Sequence, residues 1–268
     1  MLILLPPSEG KTAPPLGEPV DPAGLWLPKL GPARRRVLSR LVAMCKRTSA
    51  RGVTASLATL GLTAGQQAEV ARNAVLLESP AAPAAEVYSG VLYEALDAGT
   101  LSPGAREWLA GRAVVFSGLW GVVRMNDRIP AYRCAVGVSL PGVGGLTAYW
   151  KKILSPALDR AAGGATVLDL RSGAYGAMWT PNASVAARTA ALRVLHERTV
   201  GGVSQRSVVS HFNKATKGRL VRALATGAAA PESVPELITA LRDLKYTVEE
   251  RPTSAGRPRQ LDIVVTEL

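Results

Sequence analysis

Between residues 113 and 133 the chain reads AVVFSGLWGVVRMNDRIPAYR, its densest run of residues able to do chemistry. An apolar run over 113–116 ends in Ser117-Gly118, with Gly121 three residues later, the pattern of a buried strand entering a tight loop. Around that loop stand Trp120, Arg124, Asp127, Arg128, Tyr132 and Arg133. A guanidinium offers a fixed fork of donors that matches phosphate or carboxylate, and the large rings suit a flat partner. The segment therefore predicts a pocket for a planar anion beyond a strand's carboxyl end, where open α/β sheets hold ligands. In a competing reading Trp120 and Tyr132 anchor the core and the arginines form structural ion pairs. The residues of this stretch leave both open.

Two other apolar runs enter polar loops in the same way. Residues 2–5 lead into Pro6-Pro7-Ser8-Glu9-Gly10-Lys11-Thr12, and residues 166–170 into Arg171-Ser172-Gly173-Ala174-Tyr175. Gly10-Lys11-Thr12 has the ending of a phosphate-binding P-loop. That motif, however, needs glycine where Leu5 stands and a helix where Ala13-Pro14-Pro15 follows. Loops on one edge of a sheet converge, so the expected anion pocket comprises Ser8, Lys11, Thr12, Ser117, Gly118, Trp120, Arg124, Arg133, Ser172, Tyr175, Lys214 and Lys217. In an enzyme the catalytic candidates are Lys11 (acid/base or phosphate contact), Tyr132 (proton donor) and Arg133 (anion clamp). GxSxG and GxGxxG are absent, which leaves a hydrolase elbow and a dinucleotide site unsupported. His196 and His211 lack ligand spacing, and Cys45 and Cys134 lack CxxC spacing, so no metal is expected and no cofactor is named.

The 268 residues carry 32 Lys and Arg against 20 Asp and Glu, a net charge of +12. The excess is clustered, in Arg34, Arg35, Arg36, Arg40, Lys46, Arg47 and Arg51, and again in Lys214, Lys217, Arg219 and Arg222. Such a balance favours polyanions, nucleic acid above all. No apolar run approaches the roughly 20 residues of a membrane span. Residues 1–5 are too short for a signal-peptide core, so a cytoplasmic protein with no membrane partner is expected.

The elements that must position these groups are short. Apolar Val37, Leu38, Leu41, Val42 and Cys45 recur at helical spacing from residue 32. A helical piece over 54–60 ends at Gly61, and Thr63 with Gln66 forms a capping-box pattern that opens a second. The pair reads as an αα-hairpin or as a helix-hairpin-helix, a shape that offers backbone amides to phosphates. Residues 80–83 read as a linker, and 87–96, 103–109, 147–160, 213–225 and 235–241 as helices. Strands are expected over 190–196 and 207–211 around Gly201-Gly202, with both histidines on them, and over 246–250 and 261–266. The whole predicts one α+β domain over 1–268, a mixed β-sheet with interleaved helices and a helical excursion over 32–79.

Read together, LILLPPSEGKT, SGLWGVVR followed by PAYR, Trp150-Lys151-Lys152, LDLRSGAY and NKATKGRL resemble, in order and spacing, the YaaA peroxide-stress family. The resemblance implies an α+β fold peculiar to that family, a helix-hairpin-helix, a positively charged cleft, DNA binding and a role in limiting damage by hydrogen peroxide. The DNA contacts it suggests are Gly61, Thr63, Gly65 and Arg72, with Arg34 and Arg35, and the partner is duplex DNA with little sequence preference. PPSEGKT is longer than the SPAKT-like opening of better-known members, and Arg171 and Gly173 replace a small residue and an acid. Those differences fall at the presumed pocket, and a second expectation stands beside the first: an enzyme of specialised metabolism acting on a nucleotide or nucleobase, with the basic pocket as active site and a small nucleotide-like anion as partner.

Overall fold

Leu2–Leu5 and Ala113–Ser117 are buried along their whole length, as befits parallel strands covered on both faces. In the computed structural model, which describes residues 1–200, 203–254 and 256–266, they are central neighbours. The strands are β1 (Leu2–Leu5), β2 (Ala82–Pro83), β3 (Ala113–Ser117), β4 (Gly121–Arg124), β5 (Arg128–Ile129), β6 (Ser139–Leu140), β7 (Gly144–Gly145), β8 (Val167–Asp169), β9 (Thr189–Val200), β10 (Val203–Ser207), β11 (Thr247–Arg251) and β12 (Arg259–Val265). The helices are α1 (Gly31–Cys45), α2 (Ala50–Leu60), α3 (Gln67–Ala74), α4 (Ala84–Val87), α5 (Val91–Leu96), α6 (Pro103–Arg112), α7 (Leu146–Ala162), α8 (Ala183–Ala186), α9 (Ser210–Thr226) and α10 (Val234–Asp243).

Eight strands form one mixed sheet, as expected of the α+β reading. Its centre is the parallel run β12-β9-β8-β1-β3, with antiparallel β11 and β4 on the two edges and β10 antiparallel to β9. Leu4 stands beside Val114 on one side and Asp169 on the other, so β1, β3 and β8 end at one edge. One core cluster runs from Leu2 to Ile263 and encloses Phe116, Trp120, Tyr132, Trp150 and Trp179. Helices α5 and α9 pack so closely that a Cβ on Gly218 would collide with the Leu92 carbonyl.

The helical excursion consists of α1 to α3. α2 begins at Ala50, ahead of the expected 54, because the Ser49 side chain accepts a hydrogen bond from Gly52 N and caps the helix. It ends at Gly61, whose φ of 65° is left-handed. The Thr63–Gln66 capping box is present. Three expectations are corrected. The helix over 87–96 is two helices, parted at Ser89-Gly90, where Gly90 takes a φ of 95°. The stretch 80–83 is more than a linker, because β2 pairs with β5. The strand over 207–211 ends at Ser207: Val208 and Val209 are a connector that resembles a strand, and His211 lies in the first turn of α9. Hairpin pairing of β9 with β10 is present, while Gly201-Gly202 lies outside the described residues.

Candidate functional site

After β1 the chain crosses to β3 on one side of the sheet; after β8 it continues to β9 on the other. The neighbours β1 and β8 thus part at their carboxyl ends, the place where open sheets form a binding crevice. A cleft of about 350 Å³ lies there, lined by Ser8, Glu9, Tyr93, Ser172, Tyr175 and Lys214 among others. It has the volume of a small-ligand site. Ser8 is fixed by hydrogen bonds to the Ser89 and Gly10 carbonyls. Tyr93 donates to the Pro6 carbonyl at 2.7 Å and stacks on Tyr88 with ring centres 5.3 Å apart. Lys214 is exposed and makes no ion pair among the described residues.

Lys11 stands behind the Ser8 wall. Its ammonium donates to the Ser8 carbonyl at 2.7 Å and lies 4.3 Å from the centre of the Tyr132 ring and 5.4 Å from that of Tyr88. The residue keeps part of its surface in solvent while the amine is enclosed by rings. Burial pushes its pKa down to about 8, against the pull of Glu9 and with a smaller push from Arg133. Arg133 forms an ion pair with Glu9 at 2.8 Å, and its backbone N–H donates to Asn73 Oδ1 on α3. Thr12 is exposed, its amide bonded to the Val87 carbonyl.

Tyr132 is buried, and its hydroxyl lies 2.6 Å from Ser117 Oγ and 2.9 Å from Tyr88 Oη. Ser117 Oγ already accepts the amides of Leu119 and Trp120. With both lone pairs taken it donates to Tyr132, whose own proton then points to Tyr88, so the chain of hydroxyls has a direction. Burial pushes Tyr88 up to about 12 and holds Tyr132 well above the usual phenol value, so these phenols stay protonated. On α9, Lys217 is buried and donates to the Leu170 carbonyl at the end of β8; burial lowers its pKa to about 8. Tyr175 is half-buried with its pKa raised, again chiefly by burial.

Three expected pocket residues, Arg124, Trp120 and Gly118, are placed elsewhere. Arg124 pairs with Val114 across β4 and β3, at the end of β3 opposite Ser117, and stacks on Trp26 with its guanidinium 4.9 Å from the ring. β4 runs back along β3, which carries Arg124 away from the cleft. Trp120 is wholly buried, edge-on to Tyr132, and belongs to the core. Gly118 serves packing: a Cβ there would collide with the Cys134 carbonyl. Arg171, named with the loop after β8, turns inward, gripping Asp169 and the Tyr175 and Trp179 carbonyls.

Of the suggested DNA contacts, Arg34 is corrected. It is completely buried, and its guanidinium donates to the carbonyls of Pro22, Leu25, Trp26, Leu27, Trp120 and Val122. Arg35 is exposed. Gly61, Thr63 and Gly65 are exposed in the α2–α3 turn, with open space around both glycines, while Arg72 is paired with Glu69. Sequence reasoning missed Tyr88 and Tyr93; the spacing Tyr-Ser-Gly-x-x-Tyr between two short helices was the available signal. Among the described residues no three His, Cys, Asp or Glu side chains gather as a metal site, and no helix is long and apolar enough to cross a membrane.

A family model described as peroxide stress protein YaaA matches residues 1–251. The chain is similar to a UPF0246 protein of Streptomyces coelicolor, 52% identical over 271 aligned positions that span the whole of both proteins. A UPF0246 protein of Corynebacterium efficiens is 38% identical over 99% of this chain and 100% of its own length. One from Cereibacter sphaeroides is 30% identical over 77% of each.

Proposed function

This chain belongs to the YaaA peroxide stress protein family, and on that premise we propose that it binds duplex DNA, with little sequence preference, as part of protection from hydrogen peroxide. The observation that carries the reading is a run of exposed basic residues from α1 through the connector 46–49 to the start of α2. Arg35, Arg36, Arg40, Lys46, Arg47 and Arg51 are all exposed, and none is ion-paired among the described residues. Like charges left together without carboxylates suit a polyanion. The same helices lead to the α2–α3 turn, where Gly61 and Gly65 leave the backbone open to a phosphate. Labelled duplex titrated between about 50 and 200 mM salt tests it, the affinity falling by orders of magnitude if several phosphates are neutralised. Binding insensitive to salt contradicts it.

The cleft favours a second reading. At about 350 Å³ it has room for one nucleotide unit and none for a duplex. In that reading the site acts on a nucleotide or nucleobase, with Lys11 as the acid–base candidate and Arg133 and Lys214 toward the anion. Mass spectrometry of small molecules that co-purify with the protein tests this; a nucleotide lost on Lys214→Ala supports it, and an empty cleft at high nucleotide concentration opposes it.

A further inference from the structure

We propose that the groove between the end of α1 and the outer face of α3 docks an acidic amphipathic helix of a partner protein. The groove has a volume of about 530 Å³ and shares no lining residue with the cleft. Buried Cys45 and Val70 and half-buried Val53 and Ala74 line it, with Ala71 and Val75 exposed along α3 and its end. The facing wall, Lys46-Arg47-Thr48, is held in place. Lys46 N–H donates to the Val42 carbonyl, Ser49 caps α2 by accepting from Gly52 N at 3.1 Å, and Ser56 donates to the Met44 carbonyl. A Cβ on Gly52 would collide with that of Arg47, so the connector lies close against α2. The groove is therefore formed before anything binds, and little of the chain has to be ordered by a partner.

The occupant's class follows from the walls. Val75 and Leu77 are each 49% exposed, two of the four large apolar side chains left in solvent among the described residues. Apolar surface gathered at one groove calls for an apolar partner. Charge complementarity supplies the rest. Lys46 and Arg47 line the groove, exposed and without an ion pair among the described residues, and no Asp or Glu lines it. Glu69, the acid of α3, is held by Arg72 at 2.8 Å. A helix with aliphatic anchors every three or four residues and carboxylates beside them meets both features. Duplex DNA answers the cations but not the apolar walls, and an unstacked base needs an aromatic ring, which no groove residue supplies.

The test titrates a labelled synthetic helix about four turns long, with leucines on one face and glutamates beside them, against the full chain by fluorescence anisotropy. Two control peptides replace the leucines by serine or the glutamates by glutamine. Saturable binding is expected, and each control should weaken it at least tenfold. Ala71 is exposed, so Ala71→Glu and Ala71→Lys should keep the circular dichroism spectrum and melting temperature of the wild type. Both should weaken the leucine–glutamate peptide at least fivefold, since either puts a charge on the apolar wall. Arg47→Glu should do the same from the rim. A purely electrostatic contact gives the opposite for Ala71→Lys, tighter binding of the acidic peptide, and that result overturns the proposal. So does a serine control that binds as well as the leucine peptide, or no saturable binding at all. Sedimentation of the free chain covers the remaining occupant: a wild-type dimer that Ala71→Glu dissociates assigns the groove to a second copy and overturns the proposal as well.

Discussion

The Lys11 ammonium stands 4.3 Å from the centre of the Tyr132 ring, while the Tyr132 hydroxyl is bonded away from it, to Ser117 and Tyr88. The charge is met by an aromatic face and a carbonyl, contacts that attract a cation. Enclosure in this setting is what lowers the pKa. Nearly every functional expectation about the cleft depends on that enclosure.

A dependence of stability on pH follows. Unfolded Lys11 keeps its proton up to about 10.5, and folded Lys11 loses it near 8. Between these values the unfolded state binds more protons, so this group's contribution to stability rises with pH, and below about 8 the folded state bears the full cost of the buried charge. Lys217 has the same sign. Urea denaturation of the wild type and of Lys11→Met at pH 7, 8, 9 and 10 isolates the effect. Relative to the variant, the wild type should gain stability between pH 8 and 10; parallel curves contradict the enclosure.

Arg34 and Arg35 are adjacent in sequence and opposite in role. Arg34→Ala strands several buried carbonyls and should lower unfolding stability by about 3 kcal/mol or more. Arg35→Ala, on the exposed side of α1, should change it by less than about 0.5 kcal/mol. Chemical denaturation compares them directly.

The directed hydroxyl chain makes Tyr132→Phe informative. The ring still fills its place against Trp120, but the Ser117 proton loses its acceptor, which costs about 1–3 kcal/mol. Ser117→Ala also frees the amides of Leu119 and Trp120, so it should destabilise at least as much. Thermal melts of both variants check the order.

In the α2–α3 turn the two glycines are unequal probes. Gly61 is left-handed, so Gly61→Val strains the backbone by about 1–2 kcal/mol. Gly65 has open space and no positive φ, so Gly65→Val should keep the fold. If the turn docks on phosphates, Gly65→Val weakens duplex binding with an unchanged circular dichroism spectrum. Equal affinity returns the turn to a plain hairpin.

The strands β1 and β3 and the buried face of α1 were legible because continuous apolar runs and helical spacing are local signals. So was the Thr63–Gln66 box, a contact between residues three apart. The fate of the arginines was not. Arg34 and Arg35 differ only in which side of α1 they occupy, and the carbonyls that cage Arg34 come from 22–27 and 120–122, which only the fold brings near. Arg124 sits seven residues after Ser117, yet a two-stranded reversal moves it to the other end of β3. Tyr88 escaped notice because its partners, Lys11 and Tyr132, are distant in sequence.

The salt dependence of duplex affinity in the triple variant Arg35→Ala, Arg36→Ala, Arg40→Ala tests the DNA-binding account most directly. Each phosphate contact contributes about −0.9 to the slope of log affinity against log salt. The account predicts a slope shallower by about 2 to 3, weaker binding at every salt concentration and an unchanged melting temperature. A folded variant with the slope and affinity of the wild type would contradict it.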